Sequence, residues 1–113
     1  MANSRARFEL AQDTARAIAA AATAVPGVAQ LNGGRYGENA LLYAGHRVVG
    51  LKRPNPRDDS HLQVFFDLDL DADVPVFEAA KNVQKAAMRE CAELKRVDAH
   101  CVDAVVSSAP GSN

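Results

Sequence analysis

The stretch from Leu62 to Asp73, LQVFFDLDLDAD, limits the fold more than any other part of the chain. Apolar and polar residues alternate along it. Leu62, Val64, Phe66, Leu68 and Leu70 fall on one side, and Gln63, Phe65, Asp67, Asp69 and Asp71 on the other. Successive side chains of a β-strand point to opposite faces, so the pattern predicts a strand with one buried and one wet face. Such a sheet needs a second layer over its apolar side. The wet side gathers acidic charge and is the first candidate for a functional patch.

A chain of 113 residues suits one domain, expected over residues 1–106, with a disordered tail, SSAPGSN, over 107–113. Hydrophobic residues make up 48%, enough for a core, though many are alanine. With 5% aromatics and no tryptophan, a deep aromatic-lined pocket is not expected, nor is a small-molecule substrate or a cofactor. The net charge of -1 argues against general affinity for nucleic acid or anionic membrane. MANSRARFEL lacks an apolar run of signal-peptide length. No stretch approaches the roughly 20 apolar residues of a membrane span. The expectation is a soluble, cytoplasmic protein that reaches a membrane only through a partner. Cys91 and Cys101 have neither CxxC nor zinc-type spacing and read as reduced thiols.

Along the chain, Arg5 to Leu10 reads as a short first strand. Asp13 is the expected N-cap of a helix carrying Ala15, Ile18, Ala19, Ala22 and Val25 at helical spacing, and Pro26-Gly27 ends it. The outer positions, Ala17, Ala20, Ala21 and Ala24, are also apolar. They read as exposed positions filled by a strong helix former, with a partner surface as the alternative. Val28 to Leu42 carries turn signals and reads as a flexible connection, ending in a helical turn over Asn39 to Tyr43. Its GGRYG run lacks the spacing of a phosphate-binding loop. His46 to Lys52 reads as a second strand with Val49 and Leu51 on one face. The loop RPNPRDD then leads into Leu62 to Leu70, forming an antiparallel hairpin.

Val74-Pro75 opens the second helix, with Asp73 and Glu78 near its positive end. Its predicted buried stripe is Val76, Ala80, Val83, Ala87 and Leu94, widened by Ala79, Ala86 and Cys91; Lys81, Lys85, Arg89 and Glu93 face solvent. In the last strand, Arg96 to Val106, the apolar residues change parity midway. Either both faces are covered or a bulge shifts the register. The expected fold is α+β: a mostly antiparallel sheet with two helices on one face, in the order β-α-β-β-α-β.

No constellation carries obvious chemistry. Asp67, Asp69, Asp71 and Asp73 form an acidic row, but alternate strand residues lie about 6 to 7 Å apart. A divalent ion needs oxygens converging at about 2.0 to 2.6 Å, and the EF-hand glycine is missing, so no metal site is expected. The row reads as solvated surface or as a docking face for a basic partner, with Phe65, Asp67, Asp69 and Asp71 the candidate residues. Replacing the three aspartates with serine should then spare folding and weaken assembly. The basic hairpin Arg47, Lys52, Arg53 and Arg57 has no aromatics for base stacking, and Asp58 and Asp59 offset its charge. Arg53 and Arg57 can pair in cis or meet the acidic face of another copy head-to-tail. His46, His61 and His100 show no metal spacing. Ser107 and Ser108 lie outside any nucleophile elbow. No catalytic residue is assigned.

The run FELAQDTARAIAAAATAVPGVAQLNGG, with Phe8, Leu10, Ile18, Val25, Gly27, Val28, Leu31, Gly33 and Gly34, resembles the opening of the alkaline shock protein family, the Gls-type envelope stress proteins. The strand Val64 to Leu70, Pro75, the run Val83-Gln84-Lys85-Ala86-Ala87 and the closing strand Val97 to Val105 are similar to its second half. Two features depart from it: Asp71-Ala72-Asp73 stands where an aromatic-glycine pair is common, and the RPNPRDD loop is unusual. The resemblance implies a non-enzymatic α+β protein of Gram-positive envelope stress. Since some members self-assemble and are held beside the membrane by an anchoring protein, the resemblance also implies a homo-oligomer with a membrane-anchored protein partner. The rival reading is a small nucleic-acid-binding or regulatory module using the Arg47 to Arg57 hairpin.

Overall fold

In the computed structural model, which describes residues 8–106, the Leu62 strand is the centre of the sheet. The elements run α1 (Gln12–Thr23), β1 (Val28–Leu31), β2 (Ala40–Tyr43), β3 (His46–Val49), β4 (Leu51–Lys52), β5 (His61–Asp69), a 3-10 turn (Leu70–Ala72), α2 (Val76–Glu90) and β6 (Arg96–Val105). The main sheet is mixed. On one side of β5, β1 pairs antiparallel with its C-terminal half and β4 with its N-terminal half; on the other side β6 pairs parallel along its whole length. The fold is α+β, as the alternation and the two helical stripes predict.

The order and pairing differ in detail from the sequence expectation. Among the described residues the order is α-β-β-β-β-β-α-β. Residues 5–7 of the expected first strand and the tail 107–113 lie outside the described residues, and Phe8 to Leu10 form no strand. Val28–Leu31 and Ala40–Tyr43 are strands, not a flexible connection and a helical turn. The expected His46 to Lys52 strand is broken at Gly50, whose φ is +91°. There β3 leaves the main sheet to pair with β2 in a separate hairpin, while Leu51–Lys52 pairs with β5 as expected. The break also separates the faces: Val49 is 45% exposed and Leu51 is fully buried. β6 shifts its register between Cys101 and Asp103, leaving Val102 as the extra residue; a bulge explains its change of parity.

The core lies between the inner face of β5 and the two helices. Leu62, Val64 and Phe66 are fully buried against Ile18, Ala15 and Ala22 of α1 and Val83, Ala79, Ala86 and Ala87 of α2. Large apolar side chains from the sheet meet small ones from the helices, which allows close approach. Each fully buried side chain of that size stabilises by about 1.5–3 kcal/mol. Leu41 and Val48 bring the β2–β3 hairpin into the same core beside α1. Helix α1 starts at Ala11, whose side chain makes no capping bond; Asp13 sits in the first turn and acts through the dipole instead. Helix α2 starts after Pro75 with Glu78 in its first turn. Val76, expected in the buried stripe, is exposed at the start of that helix.

Candidate functional site

Because both helices cover the inner face, the odd-numbered residues of β5 stand on the open outer face. Parallel pairing places His61 beside Arg96, Gln63 beside Asp98, Phe65 beside His100, Asp67 beside Asp103 and Asp69 beside Val105. The Phe65 and His100 rings stack with centroids 5.2 Å apart and an interplanar angle of 29°. His61 Nε2 lies 2.8 Å from Asp98 Oδ2, and Arg96 Nε donates to Asp98 Oδ1 at 3.1 Å. The bond from His61 and the Arg96 guanidinium hold the Asp98 carboxyl below its ordinary value, against partial desolvation.

Asp67 corrects the simple picture of a wet acidic row. It is 3% exposed. Its carboxylate accepts hydrogen bonds from Gln30 Nε2 at 2.7 Å and Asn32 Nδ2 at 2.8 Å. Two register irregularities converge on it, Ala29 in β1 and Val102 in β6. A buried carboxylate needs such donors, since leaving it bare carries a large desolvation cost. Asp67 is therefore a structural tie between β1 and β5. Past Asp69, the last outward residue of β5, the row breaks up. Asp69 ends β5 and accepts from the Asp71 backbone N–H at 2.9 Å, Asp71 lies in the 3-10 turn, and Asp73 adopts a left-handed conformation with φ 56°. Leu70, expected inside, is exposed on the same turn. The chain stops being a strand at Asp69, so the period-two assignment fails beyond it.

Around Phe65 the outer face forms an open depression of ≈ 610 Å³, lined by Asn32, Asn39, Phe65 and Val102 with Arg35, Glu38 and Asp103. Its lining combines charges of both signs, amides and an aromatic surface. Among the described residues no three His, Cys, Asp or Glu side chains gather as a metal site.

Arg53 and Arg57 lie elsewhere, on the loop before β5 and at the opposite end of that strand from Asp69 and Asp71. Arg53 donates to Asp59 Oδ1 at 2.9 Å, and Asp59 Oδ2 accepts the Leu10 N–H at 2.6 Å. Tyr43 Oη donates to the Leu10 carbonyl at 2.9 Å. This unusual loop thus clasps the segment before α1. Arg57 lines open depressions on either side of the loop, with Asp58, Ser60 and Lys95 on one and Tyr43 and Arg53 on the other. The structure therefore brings Phe65 and Asp67 together on one face and does not bring Arg53 or Arg57 to them.

Cys91 is buried, and burial pushes its thiol up; Cys101 is exposed on β6. No helix among the described residues is long and apolar enough to cross a membrane. The period-two amides Gln30 and Asn32 were the signal for the Asp67 tie, but only the pairing of β1 with β5 gives them a partner. No family model, curated protein or solved structure matches the chain.

Proposed function

We propose that this chain is a non-enzymatic envelope stress protein that works near the membrane as a self-associating scaffold or partner-binding module. The observation that carries this reading is the open edge of the sheet, beside an outer face that no helix among the described residues covers. Helices cover one side only, and the ten-residue β6 pairs with β5 alone among the described residues. An open edge strand offers a row of backbone donors and acceptors for pairing with another chain. The resemblance of Phe8 to Gly34 and of Val64 to Val105 to the alkaline shock proteins supports the same reading. So does the open depression beside Phe65, with charges of both signs around an aromatic ring. Attachment to the membrane through an anchored partner, and a cytoplasmic site of action, belong to the proposal.

Light scattering after size-exclusion chromatography, over a wide range of protein concentration, tests it together with affinity capture from cells. Concentration-dependent growth in mass, or capture of a membrane-anchored partner, is the expected result. A strict monomer that captures no partner would overturn it.

A further inference from the structure

The open edge of β6 also carries its own register. We infer that β6 is the self-association surface, pairing antiparallel with β6 of a second copy about a two-fold axis at Ala99. The proposal rests on the self-association reading and names its surface. The bulge at Val102 supplies the key observation. Without it, Arg96 and Asp103, an odd number of residues apart, would face opposite ways. With it, both stand on the outer face, opposite His61 and Asp67 of β5.

Pairing across a two-fold axis keeps each residue opposite one on the same face. Centring the pair on Ala99 sets Arg96 of each copy opposite Asp103 of the other and Asp98 opposite His100. The two immediately adjacent registers are worse. Centring on Asp98 opposes that carboxylate to itself. Centring on His100 opposes Asp98 to Asp103. Both place like charges directly across the strands, which is destabilising. Arg96 is 68% exposed in its side chain, so its guanidinium is available to a second copy while it contacts Asp98. At the centre the two alanines are small and let the strands approach.

The flank of α2 beside this edge is also apolar. Phe77 is 75% exposed, and Phe77, Ala80, Lys81 and Gln84 line an open groove of ≈ 400 Å³. Gln84 Nε2 donates to the Val97 carbonyl at 2.9 Å, which fixes that flank against β6 and takes up one acceptor of the edge; a second strand displaces that side chain to reach it. A strand added to β6 extends the sheet beside that groove, on the face the helices cover.

Two sets of variants of the full chain test the register. Arg96→Glu and Asp103→Arg each put like charges across the axis and should weaken dimerisation about tenfold or more. The double variant restores opposite charges and should return within about threefold of the parent. Independently, Ala99→Cys in a Cys101→Ser background places two thiols across the axis, where directly opposed Cβ atoms lie about 4.5–5.5 Å apart. A short bis-maleimide linker should then give a covalent dimer, because that separation exceeds the reach of about 3.5–4.5 Å of a disulfide. Self-association that ignores both charge changes and yields no such cross-link overturns the β6 assignment and leaves the proposed function standing. A parent chain that stays monomeric at every concentration overturns the β6 assignment, and overturns the proposed function as well only if it captures no partner.

Discussion

The most instructive residue is Asp67. By pattern it belongs to a row of exposed carboxylates, yet two amides tie it down, Gln30 on β1 and Asn32 just past its end. Replacing Asp67, Asp69 and Asp71 together would therefore mix a structural effect with a surface one. Asp67→Ala removes a charged acceptor from two hydrogen bonds and should cost about 2–3 kcal/mol in urea denaturation. Asp71→Ser, in an exposed turn, should cost well under half of that. Equal costs at the two positions would remove the distinction between tie and turn. The cysteines divide in the same way. Cys91, expected in the buried stripe of α2, is shut in the core at the end of that helix, while Cys101 is open to solvent on β6.

At the scale of elements, the break at Gly50 decides the topology. Its N–H donates to the Asn39 carbonyl at 2.7 Å and its carbonyl accepts from Phe65 at 2.8 Å, so one residue holds both the hairpin and the main sheet. A Cβ at this position would fall 2.5 Å from the Leu31 Cβ, in a backbone conformation that favours glycine. Gly50→Ala should destabilise by about 1–3 kcal/mol, read as a lower denaturation midpoint. The β5–β6 pair carries the second prediction at this scale. Asp98 has an ordinary value of 3.8 and a folded value below it, set first by His61 and then by Arg96. Its bonds contribute fully above the ordinary value and are lost as pH falls through the folded one. Asp98→Asn should therefore flatten the fall in stability below about pH 4, measured by denaturation at stepped pH. An unchanged acid slope would show that the pair contributes nothing measurable. At this scale the sequence was legible where the pattern was long. The α2 span and most of β5 follow from periodicity. The short strands β1 and β2 do not, because four residues hold too little pattern and owe their state to the strands beside them.

The whole molecule is a two-layer fold closed on one side and open on the other. Binding between copies stabilises the folded state by mass action, so the melting temperature should rise with protein concentration. A melting temperature independent of concentration, at concentrations where light scattering sees larger species, would mean that the larger species form without adding stability. The sequence by itself determined the α+β class, the two helices and the apolar inner row of β5, because those depend on periodicities local to a segment. Only the tertiary structure decided that β6 runs parallel on an open edge and that Asp67 is buried. It also showed that Arg53 serves a clasp to the segment before α1 and that Arg96 and Asp103 share a face. Each of these depends on residues far apart in the chain meeting across a sheet, and in β6 one bulged residue reverses which side every later side chain occupies.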